Sequence, residues 1–222
     1  ENDFNIESNR IYSTGMSNGG YMSFLLACQM SDKIAAIASV TGSMTPQTYN
    51  ACNPQHPTPI LQIHGTNDQT VPYLGDPTWT KSIDDVLQYW VSYNNCNLIA
   101  DTTIIPDLVL GDWSTAEHIV YEGGDNSVTT EHFKIYGGDH DWPGVWGNMD
   151  IHASNEVWKF FSKYDINGLI GNTTLIEKTS SKENHLLKIT DILGRETNRT
   201  SNTLLFYIYD DGTVEKIITL EN

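Results

Sequence analysis

Arg10-Ile11-Tyr12-Ser13-Thr14-Gly15-Met16-Ser17-Asn18-Gly19-Gly20-Tyr21-Met22-Ser23-Phe24-Leu25-Leu26-Ala27-Cys28-Gln29-Met30 is the stretch that decides the fold class. Its first six residues read as a short strand running into a tight turn, and Tyr21 to Met30 reads as an apolar helix. Between them Gly15-Met16-Ser17-Asn18-Gly19 fits G-x-S-x-G in the strand, turn, helix setting that this pattern needs. A serine hydroxyl is a poor nucleophile until a sharp turn exposes it beside a base. The two glycines remove Cβ atoms where the turn and the helix approach each other, and the Asn18 N–H at the helix start can face a developing oxyanion. Ser17 is the candidate nucleophile and Asn18 the candidate oxyanion donor. Outside this setting the pentapeptide is an ordinary Gly and Ser turn.

Working outward, Ile34 to Val40 and Pro59 to Gly65 are apolar runs of strand length bounded by Gly or Pro, the pattern of buried parallel strands. Ser82 to Tyr93 has Ile83, Val86, Leu87, Trp90 and Val91 at helical spacing, with Asp84 and Asp85 where the helix dipole favours anions. Ala116 to Tyr121 and Glu131 to Tyr136 flank Gly123-Gly124-Asp125-Asn126 and predict an antiparallel pair. A helix from about His152 to Tyr164, with Val157, Trp158, Phe160 and Phe161 as its apolar face, closes this part. Strands alternating with helices predict an α/β fold, a mostly parallel sheet flanked by helices. From Asp165 to His185 the chain turns Asn-, Gly-, Ser- and Thr-rich, as a linker does. Three strands follow, Leu186 to Asp191, Thr203 to Tyr209 and Val214 to Leu220, the last two joined by Asp210-Asp211-Gly212, a hairpin sequence. The expected organisation is 1–164 catalytic, 165–185 linker and 186–222 a small antiparallel β tail.

Two further loops carry chemistry. Asp68 lies in His64-Gly65-Thr66-Asn67-Asp68, just past a buried-type strand, and ligands of open α/β sheets bind beyond such carboxyl ends. Its bland reading is a turn aspartate. Asp76, Asp84 and Asp85 are rivals, but they lie further from the strand end or within a helix. His140 follows a strand in Gly137-Gly138-Asp139-His140-Asp141-Trp142-Pro143-Gly144, where the glycines let the loop fold back over the sheet edge. Ser17, Asp68 and His140 thus stand in the order Ser, Asp, His expected of α/β hydrolases. His64 precedes the acid and reads as a support of its loop. His56, His118, His132, His152 and His185 read as solvent or packing histidines. Adjacent side chains rarely converge on one ion, so Asp139, His140 and Asp141 argue poorly for a metal, and no cofactor is implied.

Composition sets outer limits. The 222 residues suit one ordinary domain plus something small. With 12 Lys and Arg against 28 Asp and Glu, the formal charge of -16 argues against nucleic acid as a partner. No run approaches the roughly 18 apolar residues of a membrane span. Three cysteines are too few for a disulfide scaffold and lack metal-ligand spacing. Cys28, in an apolar helical stretch, reads as a buried thiol, which leaves Cys52 and Cys96 as the pair in an oxidising compartment.

At Gly15-Met16-Ser17-Asn18-Gly19-Gly20-Tyr21-Met22, at His64-Gly65-Thr66-Asn67-Asp68 through Val71-Pro72-Tyr73, and at Gly138-Asp139-His140-Asp141-Trp142-Pro143-Gly144, the sequence resembles the polyhydroxybutyrate depolymerase and feruloyl esterase group of α/β hydrolases. The resemblance covers about Asn5 to Tyr164. It implies Ser17 as nucleophile, Asp68 as acid, His140 as base, Asn18 as one oxyanion donor and a disulfide at Cys52 and Cys96. The chain departs from the group in carrying Asp139 where relatives often have a third glycine, which places a carboxylate beside the base. The group's early strands and its second oxyanion donor are expected upstream of Glu1, as if the chain were N-terminally truncated.

Leu187 to Glu196 and Leu205 to Val214 resemble the C-terminal sorting domain of type IX secretion, which implies export and the secretion machinery as a partner. The function expected is a secreted serine carboxylesterase acting on polymer-linked esters, feruloyl or acetyl esters of polysaccharide or a polyhydroxyalkanoate. Trp142 and Trp146, with Trp113 near them, are candidate substrate-stacking residues. A non-catalytic binding protein that keeps the hydrolase fold and a serine peptidase are the alternatives.

Overall fold

The computed structural model describes residues 6–171, 186–198, 200–210 and 214–218. The chain divides into two compact units, Glu1–Thr173 and Thr174–Asn222. In the first, the elements in chain order are β1 (Tyr12–Met16), α1 (Asn18–Gln29), β2 (Ala36–Val40), α2 (Pro46–Ala51), β3 (Ile60–Gly65), α3 (Ile83–Tyr93), β4 (Asp101–Ile105), β5 (Thr115–Tyr121), β6 (Thr130–Tyr136), α4 (Ala153–Phe161), β7 (Tyr164–Asp165) and β8 (Gly168–Leu169). Six strands form one sheet in the order β1-β2-β3-β6-β5-β4. The pairs β1 with β2, β2 with β3 and β3 with β6 are parallel, whereas β5 runs antiparallel to both β6 and β4. This mostly parallel, helix-flanked sheet is a fold of the α/β-hydrolase type.

Side-chain alternation divides the core between the two faces of the sheet. Ala36, Ala38 and Val40 of β2 face one way, onto Val157, Phe160 and Phe161 of α4. Ile37 faces the other way, onto Phe24 and Ala27 of α1 and Val86 and Trp90 of α3. Both β2 and β3 are buried along their whole length, as apolar strands covered on both faces must be. The start of α3 is fixed by Ser82, whose hydroxyl accepts from the Asp85 N–H, and Asp84 and Asp85 occupy its first turn.

Trp158, expected on the apolar face of the last helix, is 62% exposed. Its neighbours Val157, Phe160 and Phe161 fill the buried arc, and one position further around α4 points to solvent. The helix α2 and the edge strand β4 were not anticipated. β4 is exposed at four of its five residues, so it lacks the apolar run that betrays a buried strand.

The first stretch of the expected linker is ordered structure. β7 and β8 pair, the Ile166 N–H donates to the Asn9 carbonyl, and the Ile170 N–H donates to the Lys163 carbonyl. Residues 172–185 lie outside the described residues. In the second unit β9 (Leu186–Thr190), β10 (Leu204–Tyr209) and β11 (Val214–Ile218) form an antiparallel sheet in the order β11-β10-β9, with Leu205, Tyr207 and Thr190 buried. Asp211 and Gly212 of the expected Asp210-Asp211-Gly212 turn and the last residues of the third strand also fall outside the described residues. Among the described residues no helix is long and apolar enough to cross a membrane.

Candidate active site

β1 ends at Met16 and α1 begins at Asn18, so Ser17 alone makes the turn between them, with φ 55° and ψ -118°. A serine in that region is strained by roughly 1–3 kcal/mol and is held there by its surroundings. The Ser17 N–H donates to the Val40 carbonyl at 2.8 Å, and the Ser17 carbonyl accepts from the Gly20 and Tyr21 N–H groups. The turn is tight enough that a Cβ on Gly15 would lie 2.7 Å from the Gly19 Cα. Asn18, as the first helical residue, has an N–H with no partner inside the helix.

The loops that carry Asp68 and His140 meet. His140 Nδ1 lies 2.8 Å from Asp68 Oδ2, with the Asp68 side chain fully buried and that of His140 19% exposed. Asp68 Oδ1 accepts from the Thr70 and Val71 N–H groups, both at 2.8 Å. His64 Nε2 lies 2.9 Å from the Val71 carbonyl and 3.3 Å from Asp68 Oδ2, while its Nδ1 is 2.9 Å from Gln62 Nε2. The Gln62 amide nitrogen can only donate, which fixes His64 with its proton on Nε2, facing Asp68. Burial pushes the Asp68 carboxyl up, but hydrogen bonds from His64, the Val71 N–H and His140 outweigh it and hold the group at about 2. Asp68 is therefore an anion throughout the physiological range.

Gly65 explains how the two loops come so close. A Cβ there would sit 2.2 Å from the Gly138 carbonyl oxygen, so the loop that carries His140 passes directly over the end of β3. Asp139 braces the crossing: its Oδ1 accepts from the Gln69 N–H at 3.1 Å and from the His140 N–H at 2.8 Å. Asp139 thus ties the loop of His140 to the loop of Asp68. This brace was not read from the sequence, and neither was the part played by Gln62. A polar side chain inside the apolar run of β3, two residues before His64 and hence on the same face, is the signal that could have found Gln62.

Asp76 lies in its own turn, and Asp84 sits on α3, where Asp84 Oδ1 accepts from the Tyr73 hydroxyl. Trp142 packs against the core beneath the sheet and donates its indole N–H to Ser154 Oγ at 3.1 Å, whereas Trp146 is 49% exposed. Trp113 is exposed and left-handed at φ 61°, and its carbonyl backs Gly137.

The expected Cys52–Cys96 disulfide is corrected. Cys28 pairs with Cys52 across a Cα separation of 4.8 Å, and Cys96 is a buried free thiol that burial pushes up from its ordinary value. Cys28 lies at the end of α1 and Cys52 caps α2, two helices that pack together, so this pair meets the spacing a disulfide needs. Cys96 instead faces the Val128 carbonyl. Among the described residues no group of three or more His, Cys, Asp or Glu could hold a metal ion.

The family described as Phospholipase/Carboxylesterase matches residues 1–99. The bifunctional acetylxylan esterase/xylanase XynS20E of Neocallimastix patriciarum is 28% identical over 185 residues, 78% of this chain and 24% of that protein. Feruloyl esterase D of Neurospora crassa is 28% identical over 162 residues, 72% of this chain and 50% of that protein. Feruloyl esterase B of Piromyces equi is 32% identical over 101 residues, 41% of this chain and 19% of that protein. The chain therefore spans half or less of the length of these relatives. Among solved structures, an acetyl xylan esterase from Aspergillus awamori aligns with a TM-score of 0.48 at 13% identity, covering 72% of this chain and 62% of that one.

Proposed function

We propose that this chain carries the catalytic residues of a serine carboxylesterase, with Ser17 as nucleophile, His140 as general base and Asp68 as the acid that orients it. One observation carries the reading: a buried, anionic Asp68 accepts a 2.8 Å hydrogen bond from His140, and a strained turn presents a serine at the end of a parallel strand of the same sheet. With its Nδ1 proton committed to Asp68, the imidazole has a free Nε2 lone pair. His140 takes the Ser17 proton as Ser17 Oγ bonds to the ester carbonyl carbon, and the Asn18 N–H stabilises the oxyanion. The ester C–O bond then breaks, and the alcohol leaves with that proton. Water, deprotonated by His140, releases the acid and restores Ser17.

The relatives' names favour feruloyl or acetyl esters on polysaccharide over a polyhydroxyalkanoate as substrate. We further assign the chain to the outside of the cell, with the second unit as a type IX secretion sorting tail. The Cys28–Cys52 disulfide supports that compartment. Fusing 174–222 to an exported reporter should send the reporter to the culture medium, and its retention in the periplasm would refute the tail assignment.

Fluorophosphonate labelling and p-nitrophenyl acetate hydrolysis test the catalytic reading. The parental chain should label once and Ser17→Ala not at all, with kcat for Ser17→Ala lower by several orders of magnitude. A Ser17→Ala chain that hydrolyses at the parental rate, or a parental chain that does not label, would overturn it.

A further inference from the structure

The segment from Tyr73 to Ile83 leaves the acid loop and enters α3 with its ends closed together, the Ile83 N–H donating to the Tyr73 carbonyl at 2.9 Å. That is the geometry of a compact Ω-type loop, a kind often given to function. Its interior is knit by Asp76, whose Oδ1 accepts from both the N–H and the hydroxyl of Thr78. Asp76 and Thr80 exchange backbone hydrogen bonds of 2.9 and 3.0 Å. From outside, Ser43 Oγ donates to the Lys81 carbonyl at 2.7 Å, and the Lys81 N–H donates to the Met44 carbonyl at 2.9 Å. At the tip of this braced loop stands Trp79, 43% exposed. A core does not need an indole held out in this way.

Trp79 adjoins the nucleophile through one side chain. Tyr21 lies in the first turn of α1, and its N–H donates to the Ser17 carbonyl at 3.1 Å, so its backbone adjoins the turn that carries Ser17. The Tyr21 hydroxyl pairs with Thr80 Oγ1, and its ring centroid lies 6.4 Å from that of Trp79. Burial first, and then the nearby Asp68 charge, push the Tyr21 phenol up from its ordinary value, which places Tyr21 within electrostatic range of the acid. Tyr21 and Trp79 thus connect the turn that carries Ser17 to an open aromatic face. Trp142, by contrast, has its indole N–H committed to Ser154 and its body against the core.

We propose that Trp79 is a specificity-determining residue: its exposed face, backed by Tyr21, stacks on the ring of an aromatic acyl ester of the hydroxycinnamoyl kind whose carbonyl lies at Ser17. This rests on the carboxylesterase reading above and chooses between its substrates. An acetyl group has nothing that reaches the indole, so Trp79 acts only on aryl acyl esters.

The full chain, Trp79→Ala and Trp79→Phe are compared on methyl ferulate and methyl butyrate. Trp79→Ala should raise KM for methyl ferulate about tenfold, the equivalent of a 1.4 kcal/mol aromatic contact. It should leave kcat for that ester and both constants for methyl butyrate within about twofold, and Trp79→Phe should recover most of the loss. In a Ser17→Ala background, calorimetry should show the same ratio in Kd for methyl ferulate, a readout that needs no turnover. Equal losses on both esters, no change on either, or a parental chain that cleaves methyl butyrate but not methyl ferulate would overturn this inference and leave the serine esterase standing. Failure of the parental chain to label with fluorophosphonate would instead remove the reading beneath it.

Discussion

Replacing Asp68 by Asn tests the proposed triad through its most constrained member. Both carboxylate oxygens of Asp68 face only donors: Oδ1 faces the N–H groups of Thr70 and Val71, and Oδ2 faces His140 Nδ1 and, at 3.3 Å, His64 Nε2. An amide can satisfy one side of that arrangement and not the other. With its oxygen on the two backbone N–H groups, its NH₂ points at His140 and can be accepted only if the imidazole offers Nδ1 as a lone pair, which moves the ring proton to Nε2. Turned the other way, the NH₂ meets two backbone donors, which is worse. The imidazole is therefore held in the tautomer that cannot take the Ser17 proton. In the well-studied Ser-His-Asp template that change lowers kcat by about 10⁴, or about 5.5 kcal/mol of transition-state stabilisation. The assay is steady-state hydrolysis of p-nitrophenyl acetate by the full chain, with the circular dichroism melt confirming that the variant is folded. Asp139→Asn, which alters a carboxylate bonded only to backbone N–H groups in these loops, serves as the control and should lose less than about tenfold. A folded Asp68→Asn within tenfold of the parental kcat would refute the reasoning, and a 10⁴-fold loss in Asp139→Asn alone would transfer the acid's role to Asp139.

The disulfide and a buried histidine give two further tests. Alkylation of the unfolded, unreduced chain should mark Cys96 alone, whereas a mark on Cys28 would restore the Cys52–Cys96 pairing. Because Cys28 and Cys52 are 24 residues apart, the double Ser variant should lose about 3 kcal/mol in urea unfolding, and an unchanged midpoint would contradict the bond. His132 is wholly buried, with Nδ1 at the Gln62 carbonyl and Nε2 at the Tyr73 hydroxyl, and burial lowers it from 6.5 to about 3. The unfolded chain takes up that proton near pH 6.5 and the folded chain only near 3, so stability should fall as pH drops through this window, by about 5 kcal/mol if the whole interval is realised. Asp68 adds a fall of the same sign between the ordinary carboxylate range and about 2. His132→Gln should flatten the decline between pH 6.5 and 4.5, and an unchanged slope would assign it to other groups.

The parts of this fold that were legible in the sequence share one property, that local pattern and burial agree. The runs before Gly42 and Gly65 are apolar because β2 and β3 are covered on both faces, and the glycines after them sit at close approaches. Asp68 and His140 were legible because both follow strands that end at the same rim of a parallel sheet. What escaped depended on contacts between distant segments. Whether Cys28 or Cys96 meets Cys52 is decided by the packing of α1 on α2, and neither cysteine's neighbours in sequence report it. β4 is an edge strand whose residues face solvent, so no alternation marks it. Trp79 reads as one tryptophan among six, and its claim to attention comes from its partner Tyr21, 58 positions away along the chain but four residues from Ser17.

Strand order also explains why the loop that carries His140 has the shape it has. Ser17 follows β1, Asp68 follows β3 and His140 follows β6, and the order β1-β2-β3-β6 makes the strands before Asp68 and His140 neighbours while the strand before Ser17 is three places from β6. At about 4.8 Å per strand, β1 and β6 are roughly 14 Å apart, well beyond the span of an imidazole side chain. A base on β6 can serve a nucleophile on β1 only if its loop turns back across β3. Gly137 at φ 79° makes the turn, Gly138 lies over Gly65 so closely that any side chain at 65 would collide with its carbonyl, and Asp139 fastens the crossing to Gln69. The backward course of this loop serves no pairing in the sheet, since β6 already has β3 and β5 as partners. It brings His140 onto Asp68 and toward the β1 side of the sheet, the direction in which a proposed base for Ser17 has to travel.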